Sequence, residues 1–124
     1  MLTAILRSGL THVIFAFIVM GAWGFYANSD HGTAAALRAG LVQGAASAVL
    51  TALLKPSLEL MARRLKGSPL QRVLPWIVST ILIATTLTLF HLIAGTPNIL
   101  ATIAVPLSVS TTYAIVYTAT LPAS

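Results

Sequence analysis

From Val73 to Ser124 the chain runs 52 residues without an Asp, Glu, Lys or Arg. That is more than twice the roughly 20 apolar residues needed to cross a hydrocarbon core. Gly95-Thr96-Pro97-Asn98 interrupts the stretch near its middle. Glycine and proline this close together end a helix rather than continue it, so the segment reads as two transmembrane helices joined by a tight turn. With 57% hydrophobic and 7% charged residues over 124 positions, the whole chain is expected to be a single all-α transmembrane domain with no room for a soluble one.

Two further spans precede these. The first covers about residues 10–27, inside a charge-free stretch bounded by Arg7 and Asp30, with Trp23 and Tyr26 at its far end where amphipathic rings favour the headgroup layer. The residues before Asn28 include Phe25, too bulky for signal-peptidase cleavage, so this segment is expected to be retained as an anchor. Asn28 to Gly32 forms a polar turn, with Asp30 or Thr33 available to cap the next helix. The second span covers about residues 33–54, and Pro56 predicts a boundary or kink at Lys55.

Beyond it, Leu54, Leu58, Met61 and Leu65 recur at helical spacing while Lys55, Glu59, Arg63 and Lys66 fall on the other side. That pattern predicts a short amphipathic surface helix over about residues 57–66, capped by Ser57 and ended by Gly67, or a charged extension of the second span. The third and fourth spans cover about residues 75–94 and 99–121. Pro75 is tolerated in a first turn, whereas Pro106 should bend the fourth span. Ser108, Ser110, Thr111 and Thr112 could then bond the carbonyl that Pro106 leaves free. The four spans are expected to form two hairpins.

Charge sets the expected orientation. Lys55, Arg63, Arg64, Lys66 and Arg72 all fall between spans two and three, Arg7 precedes span one, and the turn around Pro97 has no basic residue. Basic loops stay in the cytoplasm, so both termini are expected there, with the protein in the cell's inner (plasma) membrane and Arg63, Arg64, Lys66 and Arg72 on the anionic membrane surface. A formal net charge of +5 carried beside apolar spans fits that surface and not nucleic acid.

Chemistry is sparse. The chain has no cysteine and no phosphate-binding or hydrolase motif, and its two carboxylates, Asp30 and Glu59, are expected on opposite sides of the membrane. No catalytic residue is therefore expected. The three histidines, His12, His31 and His91, are too dispersed to suggest a metal site, and no cofactor is implied. No carboxylate lies mid-span, which disfavours proton-coupled export.

Arg38 departs from the charge pattern, lying about five residues, or roughly 7 Å, into span two from the outer side. His91 shares that depth and Gln43 lies deeper, with His31 in the loop above. Together Arg38, His91, Gln43 and His31 are expected to form an outward-facing polar pocket for an anionic lipid or polyprenyl-phosphate headgroup, unless Arg38 snorkels to the surface or pairs with Asp30. Ala36, Gly40, Gly44, Ala48 and Ala52 repeat every fourth residue, a stripe that lets another helix approach closely, within this chain, in a homo-oligomer or on a larger membrane-protein partner. Two functions are open at this point: handling of an anionic lipid, or an accessory role beside a larger membrane enzyme or transporter.

Overall fold

The computed structural model describes the backbone of residues 2–121 and the side chains of residues 9–121. The side chain of Arg7 and residues 122–124 lie outside the described part. Four helices make up the structure: α1 (Leu2–Ala27), α2 (Thr33–Arg64), α3 (Leu74–Ala94) and α4 (Ile99–Thr120). Short 3-10 turns at Ser29–His31 and Pro69–Arg72 connect α1 to α2 and α2 to α3. Among the described residues there is no strand. All four helices are long and apolar enough to cross a membrane, as a multi-pass protein requires.

The helix ends follow from local chemistry. Gly32, at φ +97°, precedes α2 as its cap, so the capping expected of Asp30 or Thr33 is not made. Gly95 adopts the left-handed conformation that a side chain disfavours, and its N–H and that of Thr96 close α3 by donating to the carbonyls of Leu92 and His91. Pro75 occupies the first turn of α3, where its missing N–H costs nothing.

α2 is a single helix of 32 residues running through Pro56, so of the two readings of this segment the charged extension of the second span is the one that forms. No separate surface helix forms over residues 57–66. Ser57 lies inside α2, where its hydroxyl donates to the Leu53 carbonyl, and the helix ends at Arg64, short of Gly67. The reason is packing: Leu54, Leu58 and Ala62, which would have faced lipid on a surface helix, are buried against the rest of the protein. With Ala46, Ile83, Leu87, Ile103 and Ala114 the two leucines form the apolar cluster that ties α2 to α3 and α4, flanked by Met61, Trp76 and Tyr117. Burying that stripe outweighs the roughly 3 kcal/mol cost of an interior proline.

Pro106 is likewise accommodated within α4. The nearby hydroxyls do not go to the carbonyl it frees, that of Thr102. Ser108 donates to Ala104, Ser110 to Pro106 and Leu107, and Thr112 to Ser108, while Thr111 accepts from Thr80 of α3.

α1 joins the bundle through backbone contact with α2. Gly24 lies beside Ala39 and Gly40, Gly21 beside Gly40 and Gly44, and Phe17 beside Gly44, so the two helices run in opposite directions. A β-carbon built on Gly40 would stand 2.8 Å from the Gly21 carbonyl oxygen, and one on Gly44 would stand 2.8 Å from that of Phe17. Contact this close is available only to glycine, and it brings Cα–H groups against carbonyl oxygens where apolar burial gives little drive.

Candidate functional site

One end of the bundle gathers the Asn28–Gly32 and Gly95–Asn98 connections, with the buried side chains of Gln43, His91 and Thr102 beneath it. Two hydrogen-bonded groups hold it together.

The first links α2 to α3. Gln43 and His91 are both fully buried, and the Gln43 Oε1 lies 2.8 Å from His91 Nε2. The Gln43 amide nitrogen donates to Ser47 Oγ at 2.7 Å, and the His91 Nδ1 lies 2.7 Å from Thr96 Oγ1. With the Gln43 nitrogen on Ser47, its oxygen accepts from Nε2–H, so the Thr96 hydroxyl donates to Nδ1. Each polar atom of the imidazole is thereby used. Helix α3 supplies the ring, Gly95 turns the chain so that Thr96 returns to it, and α2 supplies the amide.

The second group links α1 to α4. Asn28 is fully buried; its amide nitrogen donates to the Gly24 carbonyl and to Thr102 Oγ1, and its oxygen accepts from the Asn98 N–H at 2.9 Å. Asn98 in turn donates to the Ala27 carbonyl, Thr102 Oγ1 donates to the Asn98 carbonyl at 2.6 Å, and the Trp23 indole N–H donates to the Ala101 carbonyl at 2.9 Å. Asparagine at the end of a helix can satisfy both its own helix and the start of a neighbour, which is the use made of Asn28.

Arg38 stands apart from both groups. It is exposed, with Nη2 about 4.0 Å from the position a β-carbon on Gly95 would take, beside the C-terminal end of α3. That position complements the negative end of the helix dipole. Among the described residues, the side chains of Arg38 and Asp30 make neither a hydrogen bond nor an ion pair, so pairing with Asp30 does not account for Arg38. His31 is exposed in the 3-10 turn before α2.

Of the four residues expected to converge, the structure joins Gln43 to His91 and buries both. Arg38 and His31 are left at the surface. Of the small-residue stripe, Ala36, Gly40 and Gly44 are buried, Ala48 is half-buried and Ala52 is exposed. The basic residues Arg63, Arg64 and Lys66 are exposed at the opposite end, and Arg72 there donates to the Ala119 carbonyl at 2.6 Å. Among the described residues no three His, Asp or Glu side chains are grouped as a metal site would require.

Sequence reasoning did not single out the roles of Asn28, Thr96 and Thr102. A polar residue at each end of an otherwise apolar helix was the available signal, but nothing local pairs residue 28 with residue 102. A comparison of the chain with protein-family models, with curated proteins and with solved structures finds no match.

Proposed function

We propose that the chain is a two-hairpin protein of the inner (plasma) membrane, with both termini cytoplasmic, that handles an anionic lipid or polyprenyl-phosphate headgroup at the end carrying Arg38. The observation that carries the reading is an exposed guanidinium without a partner among the described residues, at the end of a bundle whose other Lys and Arg residues from Lys55 to Arg72 lie toward the opposite end. An arginine at the edge of an apolar helix is costly unless it meets water, protein or an anion, and its planar fork suits a phosphate through paired hydrogen bonds. The Gln43–His91–Thr96 chain acts as support, holding the α3 terminus beside which the guanidinium lies. His31, at the surface of the preceding turn, is available as a further donor.

Arg38→Gln is expected to abolish retention of phosphatidylglycerol by the purified protein, measured by native mass spectrometry, and Arg38→Lys to reduce it, because an ammonium cannot reproduce the bidentate contact. Unchanged retention in a folded Arg38→Gln protein would overturn the headgroup reading. The second reading, an accessory subunit packed against a larger membrane protein, is favoured by Ala52, the part of the small-residue stripe that no helix of this chain covers. It predicts a stable larger complex on purification, disrupted by Ala52→Leu.

The orientation has its own test, since the chain has no native cysteine. A cysteine at the exposed positions Ser29 or Pro97 is expected to react with an impermeant reagent added outside intact cells, and one at Lys66 to react only after lysis. The reverse pattern would invert the protein in the membrane.

A further inference from the structure

Between the end of α1 and the start of α4 lies a cleft of about 320 Å³, lined by Trp23, Tyr26, Ser29, Asp30, Asn98 and Ala101. This is at the small end of the range of ligand sites, roughly 300–1,000 Å³. Two aromatic rings and one carboxylate face it. The rings of Trp23 and Tyr26 stand 5.7 Å apart and tilted at 40°, so they present two differently inclined π-surfaces and do not cover one another. Asp30 is exposed and its carboxylate has no partner among the described residues.

The Trp23 ring and the backbone around the cleft are held by bonds within the protein. The Trp23 indole is tied to the Ala101 carbonyl, Ser29 Oγ donates to the Tyr26 carbonyl at 2.8 Å, and Asn98 bonds both Ala27 and Asn28. The basic side chains at this end do not line the cleft. An aromatic pair attracts a cation by the negative face of each ring, and a carboxylate beside it supplies the counter-charge. The location at the helix ends is the depth of lipid headgroups.

We propose that this cleft binds an organic ammonium group, held against Trp23 and Tyr26 with Asp30 as its counter-ion. The ammonium belongs to the headgroup of a choline or ethanolamine lipid, or to a free amine of the same chemistry. The proposal uses none of the residues assigned to the phosphate and stands whether or not Arg38 binds one.

Trp23 and Trp76 are the two tryptophans, and Trp76 packs against the apolar cluster of α2, α3 and α4, away from the cleft, so Trp76→Phe leaves Trp23 as the reporter within it. In non-ionic detergent, choline chloride is expected to change Trp23 fluorescence saturably, while sodium chloride at the same ionic strength does not. Asp30→Asn is expected to weaken the response about three- to fivefold, and Tyr26→Leu about two- to fivefold. Both positions are exposed, so neither change threatens the fold. Calorimetric titration of the chain with Trp76 intact controls for the reporter substitution.

In phosphatidylcholine vesicles the response to free choline is expected to be lost, and in phosphatidylglycerol vesicles retained, if the lipid is the ligand. Retention in both assigns the site to a free amine. A response that is linear, is matched by sodium chloride, or is unchanged in Asp30→Asn overturns the proposal. Loss of phosphatidylglycerol retention in Arg38→Gln with the choline response intact would show the two sites to be separate.

Discussion

Replacing Gly40 or Gly44 with leucine is expected to abolish the folded bundle. At each position the first atom of a side chain would already stand 2.8 Å from a carbonyl oxygen of α1, and that oxygen belongs to helical backbone and cannot swing aside. Relief requires the two helices to separate, which undoes the contacts along their common face. Alanine alone is expected to cost about 1–3 kcal/mol, and leucine more, as loss of a cooperative thermal transition in detergent. The controls are Leu37→Ala and Leu41→Ala, exposed on the same helix, and Gly9→Ala, where a β-carbon meets nothing within 4 Å. Gly9→Ala should be neutral or slightly stabilising, because it removes a glycine from a helix. Equal sensitivity at the leucines and the glycines would mean that close approach is not what holds α1.

The second large effect is expected at His91. Changing it to leucine leaves the Gln43 carbonyl buried without a donor and deprives the Thr96 hydroxyl of its acceptor, at a cost of about 1–3 kcal/mol. Gln43→Leu should cost a similar amount by orphaning Nε2. The intact interhelical bond itself is worth less, about 0.6 and at most about 1.7 kcal/mol in membrane proteins, because the separated helices also find partners. The expense of each single change is therefore mostly that of the group left behind. The double variant His91→Leu/Gln43→Leu removes both groups at once and should be less destabilised than the sum of its parents. Strict additivity in a double-mutant cycle would show that the 2.8 Å contact carries no coupling.

The number of helices and most of their ends could be read from the sequence, because the signals are local. A charge-free run, a Gly-x-Pro interruption and a first-turn proline each act over a few residues. α2 shows where such reading stops. Pro56 is locally a helix breaker, and the Leu54–Leu58 spacing is locally a membrane-surface face; that both belong to one helix depends on α3 and α4, which lie elsewhere in the chain. An approximate level for Gln43 and His91 could be counted at about 1.5 Å per residue, though the count set His91 level with Arg38 and not with Gln43, against which its ring lies. Their direct bond, and the consumption of both by Ser47 and Thr96, could not. Asn28, Asn98 and Thr102 pose the same difficulty: each is an ordinary turn or cap residue until the fold brings them together across 70–74 positions.

The uninterrupted length of α2 has a mechanical consequence. At about 1.5 Å per residue its 32 residues measure roughly 48 Å, while the 21 of α3 and 22 of α4 measure about 32–33 Å. In a bilayer the two shorter helices match the hydrocarbon thickness of about 30 Å and set the depth at which the protein floats. Fitting α2 within the same slab would require a tilt of about 50°, beyond the 0–40° seen for transmembrane helices, so α2 must overhang. The overhang is stiff, clamped where Gln71 Nε2 donates to the Ala62 carbonyl. α2 is thus a spar longer than the hull it passes through, with Arg38 near one end and Arg63 and Arg64 at the other.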